Sequence, residues 1–512
     1  MKINQLKAGT LLSYAQMIIN VFINLAYTPI MLRLLGKSEY GLYNTIASIM
    51  SMLSIFSLGF NSAYVKFYAK YKSEGDEDSV YKLNGLFLLL FSGVGILAAI
   101  CGIFLTENLE IVFNEGLTEN EYKIAKVLML LLTINLSLTF PMSVFSNIIL
   151  AQEKFIFLRL AQMGKTIFGP LVTLPLLLMG YRSIAMVSVT VGISLVIDGI
   201  YLFYVLAVLK QKFIFKRFEK GLLKQLFSFA YLILIQVIME QVNTNIDKVL
   251  LGRFYGTESV SIYAVGAALF GYYMMISCAV SNVFTPRIYK IVNTGEVNEQ
   301  KKQLTQLFVK VGRIQFLILM LFSTGILFFG RAFIAWWAGD GYEDSYIVAL
   351  ILVFSYTVDL IQNLGIEIQR AQGKQKFRTI LYTAMAIINL VASIILGKAY
   401  GAIGCAIGTA ISVLVANGLV INIYYYKKCN LNVIEFWKNI LCISLGLIIP
   451  CVIGILMLKF VEFSSIWLLL GVIIVYACIY CASMWLFGMN KKEKELIKNY
   501  FKRKKTNQEE IK

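Results

Sequence analysis

The chain has 512 residues, of which 58% are hydrophobic and 15% charged, with a formal net charge of +18 and no histidine. Soluble proteins carry about a quarter charged residues, so this composition excludes an ordinary soluble fold. Without histidine the chain also lacks the commonest general base and metal ligand of enzymes.

Apolar runs of about 20 residues, the length that crosses a hydrocarbon core of about 30 Å, recur from end to end. They predict an all-α polytopic membrane protein of about fourteen transmembrane helices. These lie near 8–32, 41–65, 84–106, 124–150, 156–180, 184–208, 225–251, 260–284, 309–332, 346–368, 378–397, 402–425, 440–460 and 466–488. The first run carries Asn20 and Asn24 and is followed by no small-residue cleavage site, so it reads as a retained helix rather than a signal peptide.

Alternating the loops between the two sides, with the N-terminus inside, places 36 of the 47 lysines and arginines on the inner side and 10 on the outer. Lys165 is left within a helix. That asymmetry follows the positive-inside rule and puts both termini in the cytoplasm, across the cell membrane. The positive charge is therefore read as loop charge facing an anionic inner leaflet. The basic tail over 491–512 reads as a topology signal, with no nucleic-acid partner. The acidic loop carrying Glu107, Glu110, Glu115, Glu119 and Glu121 reads as a solvated outer face. The eight cysteines show no metal-ligand spacing. No phosphate-binding glycine loop or nucleophile elbow occurs. The chain is not read as an enzyme, and neither catalytic residues, nor a metal site, nor a resident cofactor is expected.

The chain repeats itself. LLSYA at 11–15 answers LFSFA at 226–230, LLGK at 34–37 answers LLGR at 250–253, and GLY at 41–43 answers SIY at 261–263. AQEKF at 151–155 answers AQGKQKF at 371–377, and ISLVIDG at 193–199 answers ISVLVANG at 411–418. The offsets run from 215 to 220. Six helices thus map onto six, and because six is even the two halves share one orientation, a transporter architecture with the substrate between lobes. The expected division is an N-lobe over 1–208, a cytoplasmic linker over 209–224, a C-lobe over 225–426, two further helices over 427–490, and the tail.

Polar side chains stripe several of these helices. Ser13, Gln16, Asn20, Asn24 and Tyr27 share one face of the first, and Gln236, Glu240, Asn243 and Asp247 one face of the seventh. The tenth carries Asp359, Asn363, Glu367 and Arg370. Such groups must face protein or water. The asparagines and Gln236 read equally as helix–helix glue and as cavity lining. Glu240 and Asp359, deep in their spans, read as cavity or ion-coupling acids, since a charge in the membrane is costly unless solvated or paired. Asp247 and Lys248 lie nearer an outer end, where a local pair or snorkelling is as good a reading. Asp198 sits in SLVIDGIYLFY with no basic residue beside it in the chain. Its repeat partner is Asn417, so a polar group recurs there; it reads as a structural acid or as a site taking up H⁺ or Na⁺. Lys165 is the most deeply placed cation. Together with Lys66, Arg313 and Arg370 near the inner mouth it could attract a phosphate or pyrophosphate headgroup, while the alternative for those three is ordinary loop charge.

Three segments carry a family resemblance: 31–71, MLRLLGKSEYGLYNTIASIMSMLSIFSLGFNSAYVKFYAKY; 245–269, NIDKVLLGRFYGTESVSIYAVGAAL; and 369–412, ending in GAIGCAIGTAIS. The chain resembles polysaccharide repeat-unit flippases, of the superfamily that also holds multidrug and toxic compound extrusion transporters and peptidoglycan-precursor flippases. The resemblance implies two lobes around a cationic cavity and alternating access. It also implies an undecaprenyl-diphosphate-linked oligosaccharide as substrate, for surface polysaccharide synthesis beside a polymerase and a chain-length regulator. The family's cavity arginines are not evident: Lys165 and Lys248 are lysines, and Arg33 lies near a helix end. An ion-coupled multidrug or small-cation exporter of the same fold is the alternative. A membrane-embedded glycan polymerase or ligase would need larger outer loops.

Overall fold

The computed structural model describes residues 5–57, 60–113, 117–215, 220–294, 296–463, 465–491 and 493–495, and every regular element among them is helical. α1 is Gln5–Leu53, α2 Phe60–Ser73, α3 Glu77–Glu107, α4 Glu119–Ala151, α5 Phe155–Leu178 and α6 Arg182–Phe203. There follow α7 Lys220–Tyr255, α8 Thr257–Asn293, α9 Val297–Ala338, α10 Glu343–Leu360, α11 Asn363–Ala371 and α12 Gln375–Val413. α13 Val433–Ser444, α14 Ile448–Phe460 and α15 Ile466–Ser483 follow, with short helices at Glu110–Phe113 and Ile421–Lys427 between the longer ones. Among the described residues eleven helical stretches are long and apolar enough to cross a bilayer. This is a multi-pass membrane protein. The count of fourteen expected from sequence takes α7 as a further crossing and divides two long stretches, which leave helical geometry at Gly36 and Gly401.

Helix starts are set locally. Asp76 caps α3 by accepting from Ser79 N at 2.9 Å, and Thr118 and Glu121 cap each other's backbone at the start of α4. Helix ends are set by residues in the left-handed region, and these recur. Gly36 (φ 75°) answers Gly256 (76°), Glu153 (58°) answers Gly373 (68°), Gly180 (88°) answers Gly401 (58°), and Lys210 (49°) answers Asn430 (55°). Each pair is 220 or 221 residues apart. Only glycine enters this region without strain, so a shared left-handed turn is a demanding coincidence. The repeat seen in the letters is therefore also present in the backbone.

The chain divides into two compact units, Met1–Ala268 with Lys376–Ser412, and Leu269–Gln375 with Val413–Lys512. Lipid tails are as apolar as leucine, so helices here associate through close packing, which small residues permit. In the first unit a Cβ on Gly95 would lie 2.4 Å from Ser137 O, and one on Gly102 2.3 Å from Thr133 Oγ1, which lets α3 and α4 touch along their length. An aromatic cluster of Phe60, Tyr64, Phe87 and Phe91 fills one end of this unit's core, and Leu42, Ile46, Phe113 and Leu128 belong to a second cluster. In the second unit Phe328 lies over Gly454 and packs with Phe329, Leu469 and Tyr476.

Part of the expected linker is docked. Ile214 N donates to Tyr81 O at 3.0 Å, and Asn84 Nδ2 donates to Lys212 O at 3.1 Å while its Oδ1 accepts from Tyr64 OH. Residues 216–219 of that linker lie outside the described residues, as does the basic tail apart from 491 and 493–495.

Candidate functional site

The most concentrated polar cluster is in the first unit, where α7 and the start of α8 meet α12. Asp247 is 1% exposed. Its Oδ2 accepts from Tyr263 OH at 2.6 Å and from Thr409 Oγ1 at 2.7 Å, the Ser393 hydroxyl stands beside the same carboxylate, and its Oδ1 has no well-aligned hydrogen-bond partner. The Thr409 hydroxyl also lies 3.1 Å from Asn389 Oδ1, which accepts from Ser393 Oγ at 3.0 Å. Asn389 Nδ2 reaches Asn243 Oδ1 at 3.4 Å. A hydroxyl has one proton, so Thr409 can serve Asp247 or Asn389 but not both. The cluster holds more acceptors than donors around a buried carboxylate, with Lys248 as the adjacent cation. Such a set suits a hard cation, which oxygen ligands prefer, and one carboxylate matches one positive charge.

A second constellation joins α5 and α6. Lys165 Nζ donates to Ser194 Oγ at 2.7 Å, and Asp198, one turn further along α6, interacts electrostatically with the same ammonium. Asp198 thus has a basic partner, supplied by the neighbouring helix rather than by its own sequence. Lys165 is exposed along its helix while Ser194 is buried.

The remaining predicted residues are dispersed. Asn24 Nδ2 donates to Asn20 O at 2.8 Å and to the Asn20 side chain, so these two bond within α1. Gln236 Nε2 donates to Thr379 Oγ1 at 3.1 Å, joining α7 to α12. Glu240 is exposed on α7. Lys66 is exposed, its ammonium 5.8 Å from the Phe67 ring centroid. Arg370 pairs with Glu367 at 2.7 Å on an exposed turn. Asp359 ends α10, half-buried and within electrostatic reach of Cys278.

Arg313 departs from expectation. It is 4% exposed, and its Nε and Nη2 clasp Glu493 at 2.6 and 2.9 Å while Nη2 and Nη1 reach Gly488 O and Asn439 O. Its donors are turned to protein, so in this structure it ties the last helices of the second unit to α9 instead of offering a headgroup contact. Arg313→Ala would leave Glu493 buried and unpaired, a loss of about 3–5 kcal/mol. A marked drop in the thermal unfolding temperature of the detergent-solubilised protein is the expected result.

One end of the first unit is closed by contacts between the two halves of the repeat. Glu121 Oε1 accepts from Ser38 Oγ and, at 3.1 Å, from Thr257 Oγ1, while its Oε2 accepts from Thr118 N at 2.9 Å. A Cβ on Gly41 would sit 1.7 Å from Thr257 O, so the second part of α1 and the start of α8 touch backbone to backbone. Arg253 donates to Ile111 O beside them. From the sequence Glu121 reads as a solvated acid; its place three residues after Thr118 fits a capping box, but Ser38 and Thr257 lie far from it in the chain.

The family of polysaccharide biosynthesis proteins matches residues 6–292, more than half of the chain. The chain belongs to this family. Among solved structures, the fold of this family member is similar to that of the lipid II flippase MurJ in an inward closed conformation, with a TM-score of 0.69 and 16% identity, covering 94% of this chain and 97% of that one. It is also similar to an inward-facing multidrug resistance transporter of the MATE family, in the MOP superfamily (TM-score 0.63, 13% identity, 82% of this chain and 99% of that one). The MATE multidrug transporter DinF-BH is a further fold relative, with a TM-score of 0.58, 15% identity, and 85% and 97% coverage. At these identities the likeness concerns the fold. Comparison with curated proteins returns no match.

Proposed function

We propose that this protein is a flippase that carries undecaprenyl-diphosphate-linked oligosaccharide repeat units across the cytoplasmic membrane by ion-coupled alternating access, for surface polysaccharide synthesis, with both termini in the cytoplasm. Membership of the polysaccharide biosynthesis family and the flippase-like fold support the substrate class. The observation that carries the coupling is the acceptor surplus around Asp247, whose Oδ1 is buried without a well-aligned partner. A single monovalent cation, Na⁺ or a proton, fills that deficit. Its binding would draw α7, α8 and α12 together, because Asp247, Tyr263 and Thr409 come from those three helices. The cation is cargo, moving down its gradient once per cycle.

Lys165 is the proposed contact for the anionic diphosphate, with Ser194 and Asp198 holding its ammonium in place while no headgroup is bound. A charge-assisted hydrogen bond contributes about 1.5–3 kcal/mol. Lys165→Ala should therefore reduce transport roughly 10- to 100-fold with folded protein unchanged. Wild-type transport in that variant would remove Lys165 from the site.

The function is tested in the host by deleting the gene and quantifying lipid-linked oligosaccharides and surface glycan together. Precursor accumulating on the inner leaflet, with surface glycan lost and regained on complementation, is the expected result. Unchanged glycan with new sensitivity to cationic drugs would move the reading to a multidrug exporter of the same fold, and a polymerase or regulator partner would then have no place.

A further inference from the structure

The crossing formed by α10 and α11 is broken in its middle without a proline or glycine at the break. α10 ends at Leu360 and α11 begins at Asn363, leaving Ile361 and Gln362 between them. At the same offset of 220 the first half of the repeat has Pro141, inside the unbroken α4. Proline bends a helix by removing a donor and crowding the preceding turn. In the second half side chains hold the break open. Ser277 Oγ on α8 donates to Leu360 O at 2.9 Å, and Gln362 Nε2 folds back to Val358 O at 2.9 Å. Gln315 on α9 donates from Nε2 to Ser277 O, Ser277 Oγ and Ser281 Oγ at 3.2, 3.0 and 2.7 Å. Gly312, one turn earlier, lets α9 approach so closely that a Cβ there would lie 3.0 Å from Ile361 O. All of these residues belong to the second unit.

Both glutamines keep an oxygen unsatisfied. Gln315 is 0% and Gln362 2% exposed, and neither Oε1 has a hydrogen-bond partner. Their amide orientations are fixed, because each Nε2 faces a backbone carbonyl that a flipped oxygen would repel. An orphaned buried acceptor costs about 1–3 kcal/mol, and in a membrane no bulk water relieves it. The carbonyl end of α10 carries the negative pole of its dipole, Asp359 lies in its last turn, and that turn holds no basic residue. The repeat counterpart of Gln315 is Gly95, which packs against Ser137 O and Pro141 Cδ, so the first half is close-packed where the second keeps oxygens.

We propose that the break between α10 and α11 is a second cation site, separate from Asp247, which takes one desolvated monovalent cation. Gln315 Oε1 and Gln362 Oε1 are its ligands, with the other side of the Gln315 amide held by Ser277 and Ser281. Broken membrane helices whose half-helix carbonyl ends face an ion are a recurring way to hold Na⁺. Occupancy would add an ionic tie to the break that these side chains already hold, at the place where the other half has Pro141 inside a continuous helix. The site does not rest on the flippase reading, and Asp247 is removed in its test.

The test uses full-length purified protein carrying Asp247→Asn, unfolded thermally in NaCl, KCl or choline chloride of equal ionic strength. Na⁺ at about a hundred times its Kd should raise the unfolding temperature by roughly 3–5 °C over choline. Gln315→Leu and Gln362→Leu should each abolish that difference. Gln315→Glu, which adds a charge to the ligand, should shift the response to lower Na⁺ concentration. A merely structural glutamine predicts the opposite, a loss of stability in both Gln315 variants with no change in Na⁺ dependence. If Gln315→Leu does not fold, Gln315→Glu and Gln362→Leu decide. No cation-specific shift in the Asp247→Asn protein would overturn the proposal and leave a buried water as the occupant.

Discussion

Asp247→Asn is expected to uncouple transport from the ion gradient while leaving the fold intact. Asparagine is isosteric, and its amide oxygen can still accept from Tyr263 and Thr409, which reach the carboxylate at 2.6 and 2.7 Å. What disappears is the negative charge, and the substituting amide nitrogen supplies a donor where Oδ1 has no well-aligned one. Both changes oppose a cation. A buried cation that loses its anionic partner is weakened by about 3 kcal/mol or more, on the order of a hundredfold in apparent affinity. Transport measured in membrane vesicles should then ignore an imposed Na⁺ or proton gradient, whichever drives the wild type. Collapsing the two gradients separately in wild-type vesicles identifies the ion. A variant that still follows either gradient as the wild type does would sink the assignment.

How much of this was legible in the sequence varies with the range of the interaction. The repeat was readable from short matches such as AQEKF with AQGKQKF, but LLGK and LLGR align Gly36 with Gly252, whereas the left-handed turn of Gly36 recurs four residues further on, at Gly256. Helix spans were readable because length and apolarity are local properties. Asp247 was noticed, but its ligand partners were not, since Asn389, Ser393 and Thr409 follow it by 142 to 162 residues on another helix. Their signal was present: Asn389 and Ser393 lie four residues apart on α12, as do Cys405 and Thr409. The surroundings of Arg313 were illegible for the converse reason. Its partner Glu493 lies in a segment that composition marks as a solvated tail, and burial there depends on α15 returning the chain to α9. The break at Ile361–Gln362 carried no signal, because neither residue is a helix breaker and the Ser277 bond to Leu360 O comes from α8, more than 80 residues away in the chain.

A cross-link between Ser38→Cys and Thr257→Cys, in a background with the eight native cysteines replaced, is expected to stop transport completely and reversibly. The two hydroxyls lie 3.4 Å apart and share the Glu121 carboxylate, so thiols at these positions start side by side and need only a small approach to bond. The residues come from opposite halves of the repeat and stand where Gly41 meets the Thr257 carbonyl. A protein that alternates must part the halves at this end once per cycle, whichever side of the membrane the end faces. Hydroxyl-to-carboxylate bonds suit that task, since water replaces them at little net cost when they break. A disulfide cannot be replaced so. Oxidised vesicles should show background transport, reductant should restore it, and each single-cysteine variant should transport throughout. Transport continuing with the disulfide fully formed would mean that the halves never separate here, and alternating access would have to open elsewhere. Glu121→Gln provides the graded counterpart. The amide keeps one acceptor for the two hydroxyls but removes the charge, so it should loosen the closure and speed labelling of a single cysteine at position 257, without changing the total protein that folds.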